Sequence, residues 1–221
     1  MPCKVFHLGK VPFAHVWNLQ KQIQSDLIAG HGEETLILCE HAPVITIGRS
    51  AKLENILVSI EQLKTMGIEL FEIERGGDVT YHGPGQLVGY PVLDLNKHHR
   101  DVHWYMRSLE QVIINALSVF KVRGLALEGK TGVWVEASNH ASFSHLKIAS
   151  MGVRLSRWVT LHGFAVNVAD CSNGFSLINP CGFPSSQMTS MANQSNQPVD
   201  LADVEKIVED SFTKVFYSEN R

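Results

Sequence analysis

Residues 75–95, RGGDVTYHGPGQLVGYPVLDL, carry five glycines and two prolines inside what would otherwise be two strands. No helix and no single central strand survives that content, because proline lacks the ladder N–H and glycine offers no side chain to pack. The backbone must turn sharply here and approach something closely. The G-P-G core is not a dinucleotide fingerprint, since G-x-G-x-x-G is absent and a strand-like run follows where a helix would be needed. A glycine-rich hairpin accounts for the glycines alone. It does not account for Arg75, Thr80, Tyr81 and His82 beside them, so the segment is the first candidate for a site.

The rest of the chain supplies helices and strands in alternation. Apolar residues recur at helical spacing over 101–120 and 200–216, with Asp200 as N-cap of the second, and a weaker helix is expected over 14–28. Ser59 followed by Gln62 reads as a capping box opening a short helix that Gly67 ends. Strand-like runs begin at Thr35, Val44, Glu69, Gln86, Thr131, Lys147 and Trp158. Several are joined by turns too short for a helical crossover, so those neighbours should pair antiparallel. The expected architecture is α+β: a single domain over 1–221, core about 30–195 and C-terminal helix about 200–217, with a mixed, largely antiparallel sheet flanked by helices.

Composition removes several classes of function. The 221 residues carry 19 Lys+Arg against 22 Asp+Glu, a net charge of −3 that gives no support to general nucleic-acid binding. No window is long and apolar enough for a membrane span and no secretory signal is visible, so a cytoplasmic protein is expected. Cys3, Cys39, Cys171 and Cys181 form no C-x-x-C pair, which argues against a zinc ribbon or redox dithiol. His98, His99 and His103 lie close together, but without H-E-x-x-H they read as a solvated cluster.

With Arg75, Gly76, Gly77, Thr80, Tyr81, His82, Gly85, Gln86, Leu87 and Tyr90 in place, the glycine-rich segment resembles the signature of the lipoyl(octanoyl) transferases, the lipoate-protein ligase B type. The resemblance continues through HAPVITIGRS at His41, DVHWYMRSLE at Asp101, TGVWV at Thr131, KIASMGVRLSRWVTLHGFAVNV at Lys147 and INPCGFPSSQMTS at Ile178, most of the chain. It implies the fold of the biotin and lipoate protein ligase catalytic domains.

The resemblance implies that Cys181 takes an acyl chain as a thioester and that Lys147 lowers its pKa and shuttles protons. Read from the residues, Cys181 lies between Pro180 and Gly182, where the chain turns and presents the thiol. A free thiol is mostly protonated at neutral pH and needs a neighbouring cation, for which Lys147 is the candidate. Acyl-contacting stretches of the family correspond to Arg75, Gly76, Gly77, Asp78, Val79, Thr80, Tyr81 and His82, to Ser150, Met151 and Gly152, and to Gly163, Phe164 and Ala165. The small residues Gly152, Gly163 and Ala165 are expected to leave room for the chain, and backbone N–H groups near Gly77 or Gly182 to hold the oxyanion. His82 and His162 stand in the same region.

The implied reaction moves octanoyl from octanoyl-acyl carrier protein to the target lysine of lipoyl domains, in the E2 subunits of 2-oxoacid dehydrogenases and in glycine cleavage H protein. No ATP, metal or other cofactor is expected, and neither nucleic acid nor membrane as partner. One alternative is an ATP-dependent lipoate or biotin-type protein ligase, which shares the glycine-rich region but does not need the cysteine in P-C-G. Another is a non-catalytic lipoyl-domain binder, which would need neither Cys181 nor Lys147.

Overall fold

The computed structural model of the protein describes residues 3–137 and 142–218, except the side chain of Cys181. In chain order its elements are β1 (Lys4–Val11), α1 (Phe13–Ile28), β2 (Thr35–His41), β3 (Val44–Ile47), α2 (Ile60–Thr65), β4 (Glu69–Glu72), β5 (Val79–His82), β6 (Gln86–Val92), α3 (Val102–Val119), β7 (Leu125–Leu127), β8 (Lys130–Glu136), β9 (His145–Ser156), β10 (Val159–Asn167), α4 (Ser172–Phe175), α5 (Met191–Gln194) and α6 (Leu201–Tyr217). A seven-stranded sheet runs β1-β2-β6-β10-β9-β8-β7, and a small three-stranded one runs β4-β3-β5. This is the α+β, mixed-sheet architecture expected from the strand spacing.

Local chemistry accounts for the helix ends. Asp101 accepts the N–H groups of His103 and Trp104 at the start of α3, and Asp200 accepts that of Ala202 at the start of α6. The Ser59–Gln62 capping box forms, and Gly67, at φ +69°, ends the turn after α2. Helices α3 and α6 bury Leu109, Val112, Ile113, Val208 and Phe212 against one face of the large sheet, each such side chain worth about 1.5–3 kcal/mol. Helix α1 covers the other face through Phe13 and Val16.

Two antiparallel pairings expected from short connections do not form. Strands β2 and β3 are separated only by Ala42 and Pro43, and β5 and β6 only by Gly83, Pro84 and Gly85, yet each pair divides between the two sheets. Proline at both links withholds a donor and fixes φ, so the chain turns a corner out of one sheet and into the other. The antiparallel expectation holds for β8–β9 and β9–β10. Strands β1 and β7 carried too little alternation to be recognised; β1 joins β2 in parallel, with α1 as the crossover.

The histidine cluster at 98–103 is also different from expectation. His98 is almost out of solvent, its Nε2 3.1 Å from both Glu34 carboxylate oxygens, and Tyr217 Oη donates to the same carboxylate at 2.6 Å. Tertiary packing of α6 against α3 draws it in, while His99 and His103 stay exposed. No group of three or more His, Cys, Asp or Glu suited to a metal is present among the described residues.

Candidate active site

Between the two sheets lies a narrow cleft that holds about 570 Å³ of space when the open solvent at its mouth is counted. The loop before β5 forms one wall because Arg75 ties it down. Its Nε and Nη2 donate to Thr46 Oγ1 at 3.2 and 3.1 Å, Nη2 also reaches the carbonyls of Thr46 and Asp78 at 2.8 and 2.6 Å, and Nη1 reaches that of Gly76 at 3.0 Å. A guanidinium with this many acceptors holds the loop against β3. Gly76 N–H then fastens it to Val153 O of β9, 3.0 Å away.

Of the sequence-derived acyl residues, Arg75, Gly77, Thr80, His82, Ser150, Met151, Gly152, Gly163, Phe164 and Ala165 line this one cleft, together with Lys147. Gly76, Asp78, Val79 and Tyr81 stand behind that lining. The Asp78 carboxylate accepts from the N–H groups of Val79 and Lys52 and from Asn55 Nδ2, so it staples the loop. Val79 and Tyr81 pack under the small sheet, Tyr81 with its ring 5.9 Å from that of Phe175. Gly152 and Gly163, besides lining the cleft, are closely backed by neighbouring chain. A methyl on Gly152 would meet Gly76 O at 3.0 Å, and one on Gly163 would meet Gly89 O at 2.1 Å, so both are small to let neighbouring backbone approach.

The cleft has a buried polar wall. Gln86 Nε2 donates to Tyr81 O and Asn167 Oδ1, which leaves its Oε1 to accept from His82 Nδ1–H at 2.8 Å. Complete burial, aided by repulsion from His41, pulls the His82 pKa down to about 3, so the ring is neutral with an unprotonated Nε2. His41 Nδ1–H donates to Val11 O at 2.9 Å, so its Nε2 accepts from Tyr90 Oη at 2.8 Å. Tyr90 lines the cleft beside His82, and the two imidazoles sit 6.1 Å apart across the corners.

Lys147 enters from β9, opposite Trp134 of β8, and is only 7% exposed. Its Nζ lies over the Trp134 ring, 5.3 Å from the centroid. Its carbonyl accepts Thr189 N–H at 2.9 Å, which lays the chain after the Cys181 turn along β9. That turn is a single 3₁₀ turn, Pro180–Gly182. Asn179 N–H, just before it, is bonded to Asn55 O at 2.8 Å, and Pro180 lines the cleft with Lys147. The backbone of position 181 is thereby brought to the lysine's cleft; the Cys181 side chain lies outside the described residues. Gly182 N–H already donates to Asn179 O at 3.2 Å. Phe13, Ile73 and Val88 also line the cleft; in the sequence they look like any core residues, and only assembly of the sheets distinguishes them.

The family model for the lipoyl protein ligase A/B catalytic domain matches residues 12–213. The chain is 47% identical over 197 residues to an octanoyltransferase of Syntrophotalea carbinolica, covering 89% of this chain and 86% of that protein. It is 41% identical over 215 residues to an octanoyltransferase of Gloeobacter violaceus, covering 97% and 90%. Among solved structures it is similar in fold to a lipoate-protein ligase A bound with ATP, at TM-score 0.72 and 15% identity, covering 97% of this chain and 85% of that one. A bi-partite lipoate protein ligase from Thermoplasma acidophilum matches at TM-score 0.71 and 16% identity, covering 97% and 84%. A glycine-rich loop pinned by Arg75, a cleft at the corners of two sheets and a family match over nearly the whole chain agree: this protein belongs to the lipoyl protein ligase A/B catalytic domain family.

Proposed function

We propose that the protein is an octanoyltransferase that carries octanoyl from the phosphopantetheine thioester of acyl carrier protein to the lysine of a lipoyl domain, through a thioester on Cys181. The observation behind this reading is the union, in one cleft, of ten of the fourteen residues expected to touch the acyl chain with buried Lys147 and the turn that carries Cys181. Burying six methylenes and a methyl is worth about 6 kcal/mol at ~0.8 per group, which suits a slot walled by Phe13, Ile73, Val88 and Phe164.

In the first half-reaction Lys147 takes the Cys181 proton and, as the resulting cation, holds the thiolate. The thiolate attacks the thioester carbonyl, the pantetheine C–S bond breaks, and the Lys147 proton passes to the leaving sulfur. In the second, the acceptor lysine's neutral amine attacks the acyl-enzyme carbonyl. Lys147 takes the amine proton as the C–N bond forms and returns it to the departing Cys181 sulfur. Each half-reaction ends with Lys147 neutral, and the net change is one thioester exchanged for one amide. With Gly182 N–H already engaged, Gly77 at the cleft wall is the oxyanion donor we carry forward. The reaction as written calls for neither ATP nor metal. E2 lipoyl domains and glycine cleavage H protein are the acceptors, and the cytoplasm the setting; no helix of the described residues is long and apolar enough to cross a membrane.

Incubation with octanoyl-acyl carrier protein in the absence of ATP, read by intact mass, tests this reading. One octanoyl adduct is expected on the native protein and none on Cys181→Ser. Transfer to a lipoyl domain only from free octanoate with ATP would favour the ligase chemistry instead.

A further inference from the structure

We infer that His162, with Glu74 behind it, forms the polar end of the acyl slot and so sets the longest chain the enzyme accepts. The inference rests on the octanoyl-transfer reading and assigns specificity within the same cleft.

His162 lies in β10, opposite Val153 of β9. Six residues of strand separate Val153 from Lys147, about 20 Å at ~3.3 Å per residue. Both Lys147 and His162 line the cleft, so their side chains mark its two ends along β9 and β10. The walls between are apolar where Phe13, Ile73, Val88 and Ala165 face in. At His162 that lining stops. The imidazole is 2% exposed, and its Nε2 has no hydrogen-bond partner among the described residues. Glu74 Oε2 stands 3.8 Å from it, while the other Glu74 oxygen accepts from Trp17 Nε1–H at 3.3 Å.

Backbone geometry holds this end in place. His162 has φ +62°, a left-handed conformation in mid-strand that a non-glycine residue adopts only under constraint. Its N–H donates to Gln20 Oε1 of α1 at 3.0 Å. The imidazole is thus a fixed feature of the slot, anchored to the helix that closes this face. The nearby His162 ring keeps the Glu74 carboxylate ionised down to about pH 2, and burial disfavours the charged form of His162. A methylene pressed against the polar edge of the buried His162 ring gains no apolar contact there and keeps that nitrogen from water. Chains up to octanoyl gain ~4-fold per methylene, the equivalent of ~0.8 kcal/mol; those that reach the pair gain nothing.

The test compares hexanoyl, octanoyl, decanoyl and dodecanoyl chains in two ways: as carrier-protein thioesters in transfer to a lipoyl domain, and as non-transferable pantetheine thioethers in a binding titration. For the native protein, affinity and kcat/KM should rise about 15-fold from hexanoyl to octanoyl and then level or fall. In His162→Leu the decanoyl-to-octanoyl ratio should rise by about tenfold. In Glu74→Gln, which keeps the shape and removes the charge, it should rise by about twofold or more. An unchanged ratio in the more stable of the two variants overturns the inference, including the case where all donors decline together, as a catalytic or purely structural pair would produce. Chain-length-dependent binding with no transfer from any thioester would instead refute the octanoyl-transfer reading and leave the slot assignment standing.

Discussion

Replacing Gly132 by alanine should damage the fold and the chemistry together. Gly132 sits in β8 at φ +104°, beyond what an L side chain adopts without strain, and its N–H donates to the buried Glu110 carboxylate of α3 at 3.0 Å. An added methyl would lie 2.5 Å from Ala149 O and 2.7 Å from Lys147 Cε. The backbone strain costs about 1–3 kcal/mol, and the overpacking about 1–3 more because one of the clashing atoms is a carbonyl in the adjacent strand. The sum, about 2–6 kcal/mol, is a large share of the ~5–15 kcal/mol that holds a domain together, and at about 2–4 °C per kcal/mol it lowers Tm by roughly 4–24 °C. Gly30→Ala is the matched control: φ is +81° there, but nothing lies within 4 Å of the added atom, so only the strain of about 1–2 kcal/mol remains. Thermal unfolding followed by circular dichroism, with octanoyl transfer measured well below Tm, separates the two effects. Transfer should drop in Gly132→Ala and stay near native in Gly30→Ala, because only the first displaces the Lys147 side chain. Equal Tm losses in the two variants together with native transfer in Gly132→Ala would refute the close-approach argument.

Three further outcomes follow from the geometry. Tyr90→Phe removes the hydroxyl donor to buried His41 Nε2 and leaves it only the weak Cys39 thiol at 3.6 Å, which should cost about 1–3 kcal/mol, seen as a lower midpoint in urea at an unchanged slope. His82, with its folded pKa near 3 against ~6.5 when unfolded, binds its proton only on unfolding. Stability from this group is therefore complete above pH 6.5 and lost as pH falls toward 3, at most about 2 kcal/mol between pH 6.5 and 5; denaturation in His82→Gln should show a correspondingly flatter acid limb. Asp101→Ala deletes the cap at the start of α3 and should lower stability by about 1 kcal/mol while leaving transfer intact, as the helix start contributes nothing to the cleft lining.

Much of this molecule was legible in one dimension because the controlling interactions are local. Helical periodicity with Asp101, Asp200 and the Ser59–Gln62 box placed three helices, and alternation placed most strands, since caps and side-chain period are set by residues a few positions apart. The glycine-rich segment with Arg75 and His82 marked the site for a similar reason: polar groups among glycines have no local use. Residues with a tertiary role gave no such mark. Pro43 and Pro84 sit in links whose length suggested hairpins, and only the assembled sheets show that the chain changes sheet there. Phe13, Ile73 and Val88 wall the cleft with side chains that any core would use.

The sequence by itself therefore determined the fold class, the helix ends, the glycine-rich loop and, through its resemblance, the residues on which transfer would depend. The tertiary structure alone decided that Lys147 and the Cys181 turn, 34 positions apart, line one cleft. It also decided that neighbouring backbone crowds Gly152 and Gly163 and that Glu74 comes within 3.8 Å of His162. These are contacts between strands distant in sequence, created when burial of the sheet faces overcomes the entropy of bringing them together, and no local pattern encodes them.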